Sequence, residues 1–107
     1  MVDFTIKEND TSPVFQRTLT DASGAVVNLT GSSVVFKMYD QMRSTQVVSS
    51  AATLDDAANG VVSYTWLSAD TSVPGWYWVE FQVTYADTSI ETFPNSGFIS
   101  VLITEEL

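Results

Sequence analysis

The chain has 107 residues, a length that supports one domain over residues 1–107 and lets roughly two thirds of the unfolded surface be buried without staples. It contains no Cys and no His, which excludes a disulfide framework, a thiolate nucleophile, an imidazole base and the usual transition-metal ligands. Thirteen acidic residues against four basic ones give a formal charge of −9, which sets the chain against nucleic acid and anionic membrane as partners.

No segment approaches the ~20 apolar residues of a membrane-spanning helix. The N-terminal "MVDFTIKEND" carries acidic residues where a secretory signal needs a basic head and an apolar run. The expectation is a soluble chain that stays where it is made. Val, Ile and Thr supply 31 of the 107 residues, and β-branched side chains favour pleated surfaces over helices, so the class expected is all-β.

In chain order, "DFTIKEN" places Phe4 and Ile6 on one face of a first strand. Residues 9–13 read as a bend, because Pro13 restrains Ser12 and has no N–H to give to a ladder. "VFQRTLT" alternates Phe15, Arg17 and Leu19 against Val14, Gln16 and Thr18 without declaring which side is inward. Residues 21–24 form a turn that Gly24 closes, with a hairpin return around Val27 and Leu29. "SSVVFKMYD" then puts Val34, Phe36 and Met38 on one face and Val35, Lys37 and Tyr39 on the other.

The stretch 41–60 is small, polar and weakly periodic. It predicts an edge strand near residues 45–50 and a loop ending at Asn59-Gly60, a strong turn dipeptide. Parity buries Val62, Tyr64 and Trp66 in the next strand. In "DTSVPGWYWVEF", Asp70 ends a strand, Pro74-Gly75 make a corner, and Tyr77 begins the longest strand. This is the pattern of a tyrosine corner, in which the hydroxyl bonds back to an upstream backbone group; a core aromatic with a wet tip is the simpler alternative. The long strand buries Tyr77, Val79, Phe81 and Val83, and "TSIETF" and "GFISVLIT" complete the chain. Turn signals about every 8 to 12 residues favour a sandwich or barrel.

The order of "NDTSP", "DASGAVVNLTGSSVVFKM" and "ETFPNSGFISV", within a span from about Phe4 to Ile103, resembles the N-terminal domain of upper baseplate proteins of tailed bacteriophages and related small phage tail proteins. The resemblance implies an immunoglobulin-like antiparallel β-sandwich of about seven or eight strands with Greek-key connections. It also implies attachment of one virion component to another, with other virion proteins and further copies of the chain as partners and the virion as location, assembled in the host cytoplasm. A receptor-binding or fibre region usually follows in that family. This sequence ends at Leu107, which points to an adaptor or decorating subunit rather than to direct host recognition.

The residues offer little catalytic chemistry. Thirteen Ser and 13 Thr supply hydroxyls that no base activates, and adjacent Asp55 and Asp56 are expected to point apart rather than act as an acid–base pair. Asp55, Asp56 and Asn59 before Gly60 are calcium-type oxygen ligands, but they lack the alternating spacing and distant Glu of a calcium loop and make an ordinary turn. No cofactor is expected. The sequons at Asn9 and Asn28 meet glycosylation machinery only in a secretory pathway.

The remaining signal lies in "GWYWVEF". If the strands containing Phe36, Phe81 and Val101 lie side by side with the longest in the middle, alternation places Val35, Tyr39, Trp76, Trp78, Phe98 and Leu102 together on the outer face, with Lys37, Glu80, Gln82 and Ser100. Six large apolar residues on one face form a patch of the kind that marks an interaction site. The alternative is that segment 41–60 covers the tryptophans. Three readings follow: a structural virion subunit docking through this face, a carbohydrate-binding module stacking sugars on Trp, and, least supported, an enzyme.

Overall fold

The computed structural model describes residues 3–106, in which nine strands and two short 3₁₀ turns build two facing sheets. The strands are β1 (Phe4–Lys7), β2 (Phe15–Thr18), β3 (Ser33–Asp40), β4 (Gln46–Ala51), β5 (Thr53–Asp56), β6 (Val61–Tyr64), β7 (Gly75–Thr84), β8 (Ile90–Phe93) and β9 (Ile99–Thr104). One sheet runs β1-β9-β7-β3-β4 with β8 also paired to β7, and the other runs β2-β6-β5. The all-β expectation holds, and the two sheets form a sandwich.

Strand β7 organises the larger sheet because its alternation is sustained for ten residues. One flank takes β3 along its whole length, with Phe36 opposite Phe81 and Met38 opposite Val79. The other flank is shared: β9 pairs with Gly75 through Val79, and β8 with Phe81 through Thr84. Residues 94–98 link these two pieces and carry Pro94, which has no N–H for a ladder.

The core is the sum of the inward parities. Phe15, Val62, Tyr64 and Trp66 from the smaller sheet and its continuation meet Val34, Phe36, Met38, Val79, Phe81, Val83, Val101 and Ile103 from the larger one. Phe36 and Phe81 are fully buried and Trp66 is 1% exposed. Phe36 stacks on Tyr64 at 4.1 Å between centroids, and Trp66 lies parallel to Phe15 at 6.2 Å. The undecided parity of β2 resolves with Phe15 and Leu19 inward. Arg17 stays half-buried because its guanidinium lies 5.0 Å over the Phe15 ring and donates to the Asp3 carbonyl.

Nine strands occur among the described residues, beside an expected number of about seven or eight. Three expectations need correction. The sandwich is not wholly antiparallel, since β1 runs parallel to β9, with Phe4 and Ile6 in register with Val101 and Ile103 so that apolar parities match. The expected loop before Asn59 contains β5: the chain leaves the large sheet at Ala52 and pairs Leu54 with Val62 in the small one. The hairpin return around Val27 and Leu29 is a single bridge, Thr20 to Val26, followed by irregular chain.

That irregular chain is tied down by the Asn59-Gly60 turn. The Leu29 N–H donates to the Ala57 carbonyl and the Leu19 N–H to the Gly60 carbonyl. Gly60 has φ +72°, and a Cβ there would meet the Val27 carbonyl oxygen at 2.7 Å and that of Leu19 at 2.9 Å. Only glycine suits both the backbone conformation and the close approach.

Candidate functional site

The tyrosine corner that starts β7 is made as expected. The Tyr77 hydroxyl donates to the Val73 carbonyl at 2.7 Å across the Pro74-Gly75 corner. Just upstream, the Asp70 carboxylate accepts from the Tyr64 hydroxyl and the Leu67 N–H, fastening the end of β6 to the corner. These bonds fix where β7 begins and therefore which of its side chains face outward.

The six candidate residues come to one face. Register places Tyr39 directly opposite Trp78, Trp76 opposite Leu102, and Val35 opposite Gln82. Phe98, just before β9, reaches Trp78 with ring centroids 6.3 Å apart. Trp76 is 37% exposed and Phe98 40% exposed, while Val35, Tyr39, Trp78 and Leu102 are half-buried. Lys37 and Glu80 stand opposite one another in register.

The two tryptophans are not equivalent. The Trp78 indole N–H donates to the Gln41 carbonyl at 3.0 Å, and the Arg43 guanidinium lies 5.3 Å from the Phe98 ring centre. Part of segment 41–60 thus does close on the tryptophans, but only through the β3–β4 turn and only over Trp78. Asp40 holds that turn, its carboxylate accepting from the Ser44 N–H and hydroxyl. Desolvation works against the charge there, but the bonds from Ser44 and Thr45 outweigh it and keep the carboxyl below its usual range. Met42, at the tip, is 80% exposed. Nothing in the local pattern announces this turn's role, since an indole-to-backbone bond leaves no periodic trace.

Beyond Leu102, Asp3 borders the face. Its carboxylate accepts from the Ser100 N–H and hydroxyl, and chiefly the backbone bond lowers its pKa. No charge other than Lys37 and Glu80 sits among the outward residues of the β3-β7-β9 strands.

The other candidates are separated. Asp55 accepts from the Gln16 amide and Asp56 from the Asn59 amide, so the two carboxylates serve different partners. No group of three or more metal-ligating side chains occurs among the described residues. A cavity of about 170 Å³ opens between Leu19 and Thr20 on one side and Phe93, Pro94 and Ile99 on the other, with Arg17 its one charged lining residue. No helix among the described residues is long and apolar enough to cross a membrane.

No family model matches the chain, and no curated protein matches it.

Proposed function

We propose that this protein is a non-enzymatic structural subunit of a tailed-bacteriophage virion, a tail or baseplate adaptor or decorating subunit. It docks through the outer face of β3, β7 and β9 to other virion proteins. The observation that carries this reading is the aromatic surface at Trp76 and Phe98, supported from beneath by Trp78, Tyr39, Val35 and Leu102. Trp and Tyr anchor interfaces because they bury much area for few rotors. Two further features support it: the sequence resemblance to upper baseplate domains, and a strand distribution of β9-β7-β3 against β2-β6-β5, which fits an immunoglobulin-like sandwich.

The test is incorporation. With Trp76→Ser and Phe98→Ser combined, the chain should fold normally yet be missing from purified tailed particles that contain the native chain. Normal incorporation of the double variant, or absence of the native chain from the particles, contradicts the proposal. A carbohydrate-binding module is the second reading, favoured by the exposed Trp76 indole with Glu80 and Gln82 on the same strand face. Retention of the native monomer on polysaccharide, lost in Trp76→Ser, would select it.

A further inference from the structure

A different surface carries a more specific inference. Among the described residues, five strands have a neighbour on one side only: β1, β2, β4, β5 and β8. Four of them carry charge, Lys7 in β1, Arg17 in β2, Asp55 and Asp56 in β5, and Glu91 in β8. Such charges are the ordinary protection of a sheet edge against pairing with another chain. The fifth, β4, reads "QVVSSA", with no charge and no proline. Its only irregularity is a register shift between Met38 and Tyr39, which affects its first residues and leaves 48–51 regular.

The hydrogen-bonding side of β4 follows from one bond. The Ala52 N–H donates to the Val34 carbonyl, so by antiparallel alternation Val48 and Ser50 also turn their backbone groups toward β3. Ser49 and Ala51 turn theirs outward, where no strand among the described residues receives them.

We infer that β4 is a self-pairing edge: two copies of the chain join antiparallel through residues 47–51 about a two-fold axis at Ser49, merging their large sheets into one. The occupant is a second copy for two reasons. Under this two-fold, Ser49 meets Ser49 and Val48 meets Ser50, so each of these pairs shares a face and the outward N–H and carbonyl of Ser49 meet their own counterparts, while Ala51 lies opposite Val47 at the register shift. The charge argument agrees, because a chain of net −9 repels its copy and, of the five edges among the described residues, β4 alone brings no charged side chain into the seam. The nearest charge inward, Lys37 beside Ser49, would stand three strand spacings from its counterpart, ~14 Å, beyond a Debye length of ~8 Å at physiological salt. The merged sheet would also set two copies of the aromatic face side by side.

The experiment is sedimentation equilibrium over micromolar to hundreds of micromolar protein. The native chain should rise to twice the monomer mass. Ser49→Pro should remain monomeric wherever the native chain is dimeric, since an edge strand tolerates proline where the lost N–H points outward. Ser49→Lys, which sets two ammonium groups face to face across the axis, should do the same if the proline variant proves misfolded by circular dichroism. Trp76→Ser should dimerise like the native chain, which keeps this test separate from that of the docking face. A native chain that stays monomeric throughout, or a folded Ser49 variant that dimerises normally, overturns the inference.

Discussion

The two faces of β7 are built from the same ten residues and do opposite work. Inward, Tyr77, Val79, Phe81 and Val83 are all buried in the core cluster, Phe81 between Phe15 of the small sheet and Phe36 of the large one and Tyr77 tied by the corner. Outward, Trp76, Trp78, Glu80 and Gln82 mix large aromatics with polar groups, and none of them is buried: Trp76 is 37% exposed and the others are intermediate. Volume alone does not distinguish the faces, since the largest side chains are the outward indoles. What distinguishes them is how far the protein's own chain supplies the partner: on the outer face the β3–β4 turn takes the Trp78 indole through Gln41 and sets Arg43 over Phe98, while Trp76 stays 37% exposed.

The largest effect expected from this contrast is on the inner face. Phe81→Ala should destabilise the fold by about 3–5 kcal/mol in urea unfolding, as large-to-small changes in a closed core do. A loss below ~1 kcal/mol would mean that the inner face is not the core and would remove the contrast.

Alkali attacks the fold through two phenols, buried Tyr64 and half-buried Tyr85. Burial first, and then the hydrogen bond each hydroxyl gives to a carboxylate, raise the pKa of Tyr64 beside Asp70 and of Tyr85 beside Glu91 from 10.0 to about 12. The folded state therefore holds these protons more tightly than the unfolded state. Their contribution is complete below pH 10 and is lost as the pH rises from 10 to about 12. The urea midpoint should fall across that window, and Tyr64→Phe should flatten part of the fall.

Smaller effects sharpen the outer face. Trp78→Ser removes the bond to Gln41 and the contact with Phe98, and should cost roughly 1–2 kcal/mol, the sum of one hydrogen bond and partial burial. Trp76→Ser should change stability by only about 0.5 kcal/mol or less, as exposed substitutions do. If the two variants prove equally destabilising, the protein's own chain covers both indoles, and the proposed docking face shrinks to Phe98.

Much of this was legible in the sequence, because β-strand parity is a strict rule wherever one face is buried. The inward sets of β3, β6 and β7 and the meeting of Val35, Tyr39, Trp76, Trp78, Phe98 and Leu102 all follow from alternation plus one assumption about strand neighbours. Alternation is silent on partners, and that is where the reading fell short. The segment "TLDD" has too few apolar residues to announce a strand, and β5 forms because β6 offers it an edge. The parallel pairing of β1 is likewise set by which edge lies open, not by a local pattern. The difference between Trp76 and Trp78 depends on a backbone carbonyl 37 residues away, which no local window contains.

The central claim is that the outer face is covered by another virion protein when the chain is at work. Hydroxyl-radical footprinting read by mass spectrometry tests it residue by residue, comparing the isolated chain with the chain in purified tailed particles. Trp76 and Phe98 should be labelled in the isolated chain and strongly protected in the particle, while exposed Leu67, away from this face, should keep its labelling. Equal labelling of Trp76 and Phe98 in both states would contradict the account.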